Sequence, residues 1–390
     1  MKKNVSELSI FIMIAILFIV PVILVGIFGE TPPRESGVFV TSYKPPPRAP
    51  DTRLSWFDFM KVMQDSKGSE YDRTPVVHEE FTDFPIILGE GTDFPLKGIL
   101  SIPNEAPGKV PAVVLVHGDG RFNMDEEIFT NKPFRDIAEY LAAHGVAVIR
   151  YDKRNYEHWS EMRRMFGGGI TSKDTVIEDA ILASEFIKSD PRIDEYKVFI
   201  IGHSKGGCLA PRIHAEGGDF AGIISMAGTP RSMISFAHTK DYEEIALMPE
   251  GKKKETALEN LDIKIEEFRA KIMDMPEDEA KENYWGEFSY YLIQDYDNHL
   301  AHIYTDDISV PILILQGSAD FTISADTDFL AWKELLAGRD NATFKLFEGL
   351  NHFFMTSAGY GHDEQAKENS NPGHVDKQVL AYIVVWILSV

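Results

Sequence analysis

The chain has 390 residues, 44% of them hydrophobic and 26% charged, a balance that suits one large α/β domain with an insertion, or two domains. With 61 acidic against 39 basic residues the formal net charge is −22, which speaks against a nucleic-acid partner and disfavours an anionic lipid surface. The single cysteine, Cys208, excludes an internal disulfide.

The first expectation in chain order concerns a membrane. Leu8 to Phe28 is uncharged and almost wholly apolar, about long enough to cross a bilayer as a helix, and Lys2 and Lys3 precede it. The run closes on Val25-Gly26-Ile27-Phe28-Gly29, which lacks the small-residue pattern of a cleavage site. Residues 1–30 are therefore expected to be an uncleaved signal anchor, a transmembrane helix with the lysines cytoplasmic and the remainder of the chain outside. Secretion or a periplasmic fate after cleavage is the alternative. Residues 31–75 carry Pro32-Pro33, Pro45-Pro46-Pro47 and Pro50 and read as a semi-rigid tether, with a short helix over residues 54–66.

A strand–helix rhythm starts at residue 76. Val76 to Ile102, punctuated by Gly89, Gly91 and Pro95, reads as a hairpin. Pro111–Val116 is a buried strand ending in His117-Gly118-Asp119-Gly120. Pro133–His144 is a helix with Phe134, Ile137, Leu141 and Ala142 on one face. Val146–Tyr151 is a strand running into Asp152-Lys153-Arg154, and Thr175–Lys188 a helix capped by Asp174 or Thr175. The apolar run Val198–Ile201 is another strand, and Ala221–Met226 the next. Such alternation implies a mostly parallel sheet with helices on both faces, a core over residues 76–231 that resumes over 308–390.

Residues 232–307 break the rhythm. Leu258, Leu261, Ile265, Phe268, Ile272 and Met275 recur at steps of three and four, laying an apolar stripe along a helix. The segment is expected to be a helical cap over the carboxyl ends of the strands, with Tyr284, Trp285, Phe288, Tyr290 and Tyr291 as candidate pocket residues. Pro311–Leu315 is then a strand, Ala325–Leu336 a helix capped by Ser324, Thr343–Phe347 the last strand, and Val375–Leu388 the closing helix.

Gly202-His203-Ser204-Lys205-Gly206 sits between the Val198–Ile201 strand and the helix that starts near Cys208. Gly-x-Ser-x-Gly in a strand–turn–helix setting pushes a serine Oγ up at the strand end, so Ser204 is the candidate nucleophile. The alternative is a glycine-rich turn with no chemistry. A serine needs a base, and the base a carboxylate to hold it. His352 after the last strand and Asp320 after the preceding one fit the order Ser, acid, His; Asp306, Asp307, Asp326 and Asp328 lie near enough to compete. The oxyanion requires two donors. The backbone N–H of Lys205 is one candidate, and that of Asp119 the other, with Gly120 next.

The motifs Val116-His117-Gly118-Asp119-Gly120, Tyr151-Asp152-Lys153-Arg154, Gly202-His203-Ser204-Lys205-Gly206, Leu315-Gln316-Gly317-Ser318-Ala319-Asp320 and Asn351-His352 resemble the α/β-hydrolase superfamily. Within it the chain is similar to bacterial serine esterases of the dienelactone-hydrolase-like branch, relatives of the prolyl oligopeptidase catalytic domain. The resemblance implies a Ser204–Asp320–His352 triad, no cofactor, and a small-molecule ester as substrate; no metal is expected, since no metal-ligand spacing such as His-Glu-x-x-His occurs. Lys205 departs from the apolar residue or glutamine of many esterases, and keeps an acyl thioester open. Two further readings stand beside it: an aminopeptidase or other amide hydrolase using the same machinery, and, from a different class, a catalytically silent, membrane-anchored binding protein. The oligomeric state is not encoded in any of these motifs.

Overall fold

The alternating apolar runs build a nine-stranded sheet in the computed structural model, which describes residues 72–246, 248–359 and 365–390. The expected anchor, the tether up to residue 71 and the short helix over residues 54–66 lie outside the described residues. Strands β1 (Val76–Val77), β2 (Phe81–Leu88) and β3 (Leu96–Pro103) form an antiparallel margin. They lead into β4 (Val110–Val116), β5 (Ala147–Tyr151), β6 (Ile193–His203) and β7 (Gly222–Met226). A separate hairpin, β8 (Tyr284–Trp285) and β9 (Phe288–Ser289), lies in the insertion, before β10 (Ile312–Gly317) and β11 (Ala342–Phe347). Across the main sheet the order is β1-β2-β3-β5-β4-β6-β7-β10-β11, parallel from β5 onward.

Continuous Val/Ile/Leu runs suit strands covered on both faces. Helices α1 (Pro133–Ala143), α2 (Trp159–Phe166), α3 (Glu178–Lys188) and α4 (Lys205–Ile213) follow the first strands. The insertion holds α5 (Met233–Ala246), α6 (Lys252–Met273), α7 (Glu277–Glu282) and α8 (Tyr290–Asp297). Then come α9 (Leu330–Leu335), α10 (Gln365–Ser370) and α11 (Lys377–Ser389). Phe134, Ile137 and Leu141 of α1 pack with Val379, Ile383 and Ile387 of α11 on one face of the sheet. Ala180, Ala183 and Ile187 of α3, Leu209 and Ile213 of α4 and Trp332 of α9 cover the other.

The helix expected from Thr175 takes regular α form only at Glu178; Lys173–Ile177 make a wider π turn. Neither expected residue caps it: no side-chain cap bond is made at Ser172 or Ile177, and Asp174 Oδ2 instead reaches back to accept from Thr171 N at 2.8 Å and Thr171 Oγ1 at 2.6 Å. Ser324 caps as expected, accepting from Asp326 N at 3.2 Å. Among the described residues no helix is long and apolar enough to cross a membrane.

The insertion has its own small core of Ile234, Ala237, Ile272, Ala280, Trp285, Tyr290 and Ile293. On α6 the expected stripe is real, with Leu261 and Ile272 buried and Leu258, Ile265 and Phe268 half-buried. Polar ties fix it to the sheet side. Arg212 of α4 meets Asp295 of α8 at 3.2 Å, and Ser172 N donates to the other oxygen of Asp295 at 3.1 Å.

Candidate active site

The site grows from the end of β6. Ser204 takes φ 50° and ψ −117°, a conformation that costs a non-glycine residue about 1–3 kcal/mol and persists where its surroundings enforce it. They do. Ser204 N–H donates to Met226 O at 2.8 Å, tying the turn to β7. A Cβ on Gly202 would overlap the Gly206 carbonyl, and one on Gly206 would overlap the Val116 carbonyl, so both positions require glycine. The result is a serine at the very start of α4, whose first N–H groups lack intrahelical partners.

Two later turns supply an acid and a histidine. Asp320, after β10, is 5% exposed and fully hydrogen-bonded. Its Oδ1 accepts from Thr322 N at 2.8 Å and Ile323 N at 2.9 Å; its Oδ2 accepts from Gln316 Nε2 at 2.9 Å and His352 Nδ1 at 2.8 Å. A carboxylate oxygen accepts, so His352 carries its proton on Nδ1 and presents the Nε2 lone pair. The loop holding His352 is braced by Asn351, whose Oδ1 takes Phe353 N and Met355 N, both at 3.1 Å, and whose amide donates to buried Glu368 of α10. His352 O accepts from His203 Nε2 at 2.9 Å, and the two rings lie 4.8 Å apart. The histidine loop is thereby fastened to the residue next to Ser204. Of the competing acids, Asp328 is spent on Arg231 at 2.8 Å and Ser324 N at 2.9 Å, while Asp306, Asp307 and Asp326 are exposed.

The third component is the turn after β4. Because β4 pairs with β6, with Val116 opposite Gly202, residues 117–120 emerge beside Ser204. A Cβ on Gly118 would stand 3.1 Å from that of Ser204. Gly118 N–H donates to Glu126 Oε1 at 2.6 Å. Gly118 O and Gly120 O accept from Lys153 Nζ at 2.6 and 3.0 Å. The Asp119 carboxylate meets Lys205 Nζ at 3.3 Å. Burial opposes ionisation of Asp119, yet the Lys205 and Lys153 ammonium groups hold its carboxyl below the ordinary range.

Beneath these turns lies a buried charged array that the sequence did not reveal. Glu126 is 1% exposed and sets its Oε2 3.0 Å from His203 Nδ1. Burial works against both charges, but each is overcome by the other, so Glu126 titrates below and His203 above its ordinary value. Burial leaves His117 neutral, pushed down to about 4. It also pushes the Lys153 ammonium down to about 8. His203 and Lys153 stand inside motifs already singled out. Glu126 is one of three consecutive acids, Asp125-Glu126-Glu127, and nothing in their spacing separates it from its neighbours.

Over Ser204 sits a narrow cavity of about 80 Å³, lined from the insertion by Met233, Phe236, Trp285, Phe288 and Tyr296, and from the sheet side by Cys208 and Ile323 among others. Of the five aromatic residues expected there, Trp285 and Phe288 line it. Tyr284 is exposed, because neighbours on a strand face opposite ways and Trp285 takes the inner side. Tyr290 packs into the insertion core against Phe268, and Tyr291 is half-buried outside the cavity.

A parallel sheet with a strained serine at its central strand–helix turn, and an acid–histidine pair on later turns, defines an α/β-hydrolase fold. The family model described as serine aminopeptidase, S33, matches residues 111–357, and the chain belongs to that family of hydrolases. It is 31% identical over 295 residues to a protein named Esterase EstD from Thermotoga maritima, which covers 75% of this chain and 65% of that one. The chain thus spans just under two thirds of that relative's length. Among solved structures, Est1E from Butyrivibrio proteoclasticus is similar with a TM-score of 0.47 and 14% identity, over 78% of this chain and 99% of that one. Acetyl xylan esterase 1 from Thermoanaerobacterium sp. gives a TM-score of 0.47 and 13% identity, over 86% and 92%.

Proposed function

We propose that the protein is a carboxylic ester hydrolase working through an acyl-serine intermediate, with Ser204 as nucleophile, His352 as general base and then acid, and Asp320 as the carboxylate that holds His352. The observation that carries this reading is the 2.8 Å bond from His352 Nδ1 to a saturated Asp320, on a loop fastened to the neighbour of Ser204. Ser204 Oγ attacks the ester carbonyl carbon while His352 Nε2 takes its proton. The carbonyl electron pair becomes the oxyanion, received by the N–H groups of Lys205 and Asp119. Collapse expels the alcohol, which takes the proton from His352. Water, deprotonated by His352, then attacks the acyl carbonyl, releasing the acid and restoring Ser204.

Ester hydrolysis is favoured over aminopeptidase action by the pocket. Asp119 is the carboxylate among its described lining residues, and Lys205 already neutralises it, which leaves no anion for a substrate ammonium. The name of the Thermotoga relative, an esterase, agrees. A silent binding protein has no use for a serine held at φ 50° beside a hydrogen-bonded acid–histidine pair.

Residues 232–307 act in this reading as a cap that closes the acyl site, between the two parts of the core. One water occupies roughly 10–15 Å³ of such space, so a cavity of about 80 Å³ admits a short acyl chain. Across a series of p-nitrophenyl esters, kcat/KM is expected to peak at short aliphatic acyl groups. Trp285→Ala should raise the long-chain to short-chain ratio by about 10-fold or more. An unchanged chain-length profile in the variant would contradict the cap's role.

We also propose that residues 8–28 anchor the protein in the cell membrane with the hydrolase outside the cytoplasm. Support comes from the uncharged run behind Lys2 and Lys3. The full chain is expected in the membrane fraction and accessible to protease in spheroplasts, and a chain lacking residues 1–30 in the soluble one. Full-length protein that is soluble and uncut would refute the anchor.

A further inference from the structure

We propose that Lys153 is a positioning residue of the oxyanion site, whose ammonium orients and polarises the Gly118–Asp119 peptide so that the Asp119 N–H points at the developing oxyanion. The inference rests on the esterase reading of Ser204 above. A peptide unit is planar and trans, so its C=O and N–H point in opposite directions. Gly118 O and Asp119 N belong to one such unit. Lys153 Nζ holds Gly118 O at 2.6 Å, which fixes the direction of the Asp119 N–H. The same ammonium holds Gly120 O at 3.0 Å, so it spans Asp119 from both sides; Asn155 Nδ2 adds a bond to Gly120 O at 3.2 Å. Glu126 takes the Gly118 N–H from the other direction.

A cation on the carbonyl oxygen draws electron density through the amide and strengthens the donor at its far end, the more so in a low-dielectric interior. Lys153 is 3% exposed. Desolvating an ammonium is costly, and carbonyl oxygens repay less of that cost than a carboxylate bonded directly to it. Here the charge is aimed at the backbone of a reactive turn. Lys153 is itself fixed by the strand end: its N–H donates to Phe122 O at 3.1 Å, and Asp152 Oδ1 takes Met124 N at 2.8 Å.

Charged groups around Lys153 set when it is ionised. Asp119, Glu126 and Asp179 favour the ammonium, Lys205 opposes it, and burial outweighs them all to leave it near 8. The protonated form is the one that serves the turn. Lys153 therefore sets the alkaline limb, with kcat falling as pH rises through about 8.

The test measures kcat, KM and the affinity of an alkyl boronic acid, whose tetrahedral serine adduct mimics the intermediate, for full-length wild type, Lys153→Met, Lys153→Arg and Ser204→Ala. Lys153→Met is expected to lose on the order of 10² in kcat, the effect of removing one oxyanion donor, with KM nearly unchanged and boronate affinity falling in parallel. Lys153→Arg should recover part of the loss and carry the alkaline limb of kcat well above that of wild type, because arginine stays protonated. Should Lys153→Met fail to fold, the wild-type and Lys153→Arg pH profiles decide. A wild-type kcat flat through pH 10, or Lys153→Met turning over like wild type, overturns the inference while leaving Ser204 in place. Turnover that survives Ser204→Ala overturns the esterase reading, and this inference with it.

Discussion

Ser204→Ala is expected to lower kcat on a short-chain p-nitrophenyl ester by on the order of 10⁴–10⁶-fold, the range seen when a triad serine is removed. The neighbouring thiol does not replace it. Cys208, one helical turn on, is buried, its thiol is pushed up by desolvation, and its Sγ contacts Ser204 O at 3.2 Å. The thiolate a cysteine nucleophile needs is thus suppressed. The variant should fold, since the backbone bond from residue 204 to Met226 O and the glycines around it are untouched. Urea denaturation followed by circular dichroism checks this, and a steady-state assay checks the rate. More than a tenth of wild-type turnover in the folded variant would place the chemistry elsewhere.

The second large effect is expected for Asp320→Asn, a loss of about 10⁴ in kcat with KM little changed. Asp320 accepts four bonds, two on each oxygen. Asparagine has one acceptor oxygen, and keeping it on the N–H groups of Thr322 and Ile323 turns its NH2 toward Gln316 and His352. The imidazole then answers with a lone pair on Nδ1 and carries its proton on Nε2, where it cannot take one from Ser204. Substrate binding in an apolar cavity is untouched, so the loss falls on kcat. A decrease of under 10-fold would mean that His352 is oriented by something other than Asp320.

Much of this fold was legible because strand-length apolar runs and amphipathic helical stretches alternate along the described residues. The β-branched runs at Pro111–Val116, Val198–Ile201 and Pro311–Leu315 have few residues on which to be anything but covered strands, and all lie in the sheet. Ser204, Asp320 and His352 stood out as candidates because each follows a strand end, where a parallel sheet collects its chemistry. The structure puts His352 against Asp320 and fastens its loop beside Ser204. Harder to read was whatever depends on contacts between distant segments. Glu126 meets Gly118 and His203 only after β4 and β6 pair, and no local pattern marks it. The insertion's aromatics failed for a related reason: Trp285 and Tyr284 are equivalent in composition, and the hairpin that separates their faces is two residues per strand. The Asp152-Lys153-Arg154 turn was visible as a motif, whereas its ammonium under Gly118 was not.

Covalent labelling with a fluorophosphonate, comparing wild type and Ser204→Ala and locating the adduct by peptide mass spectrometry, tests the central claim most directly. A single adduct on Ser204, absent from the folded variant, is the predicted result. A well-folded wild-type protein that stays unlabelled, or an adduct at any other residue, would contradict the account.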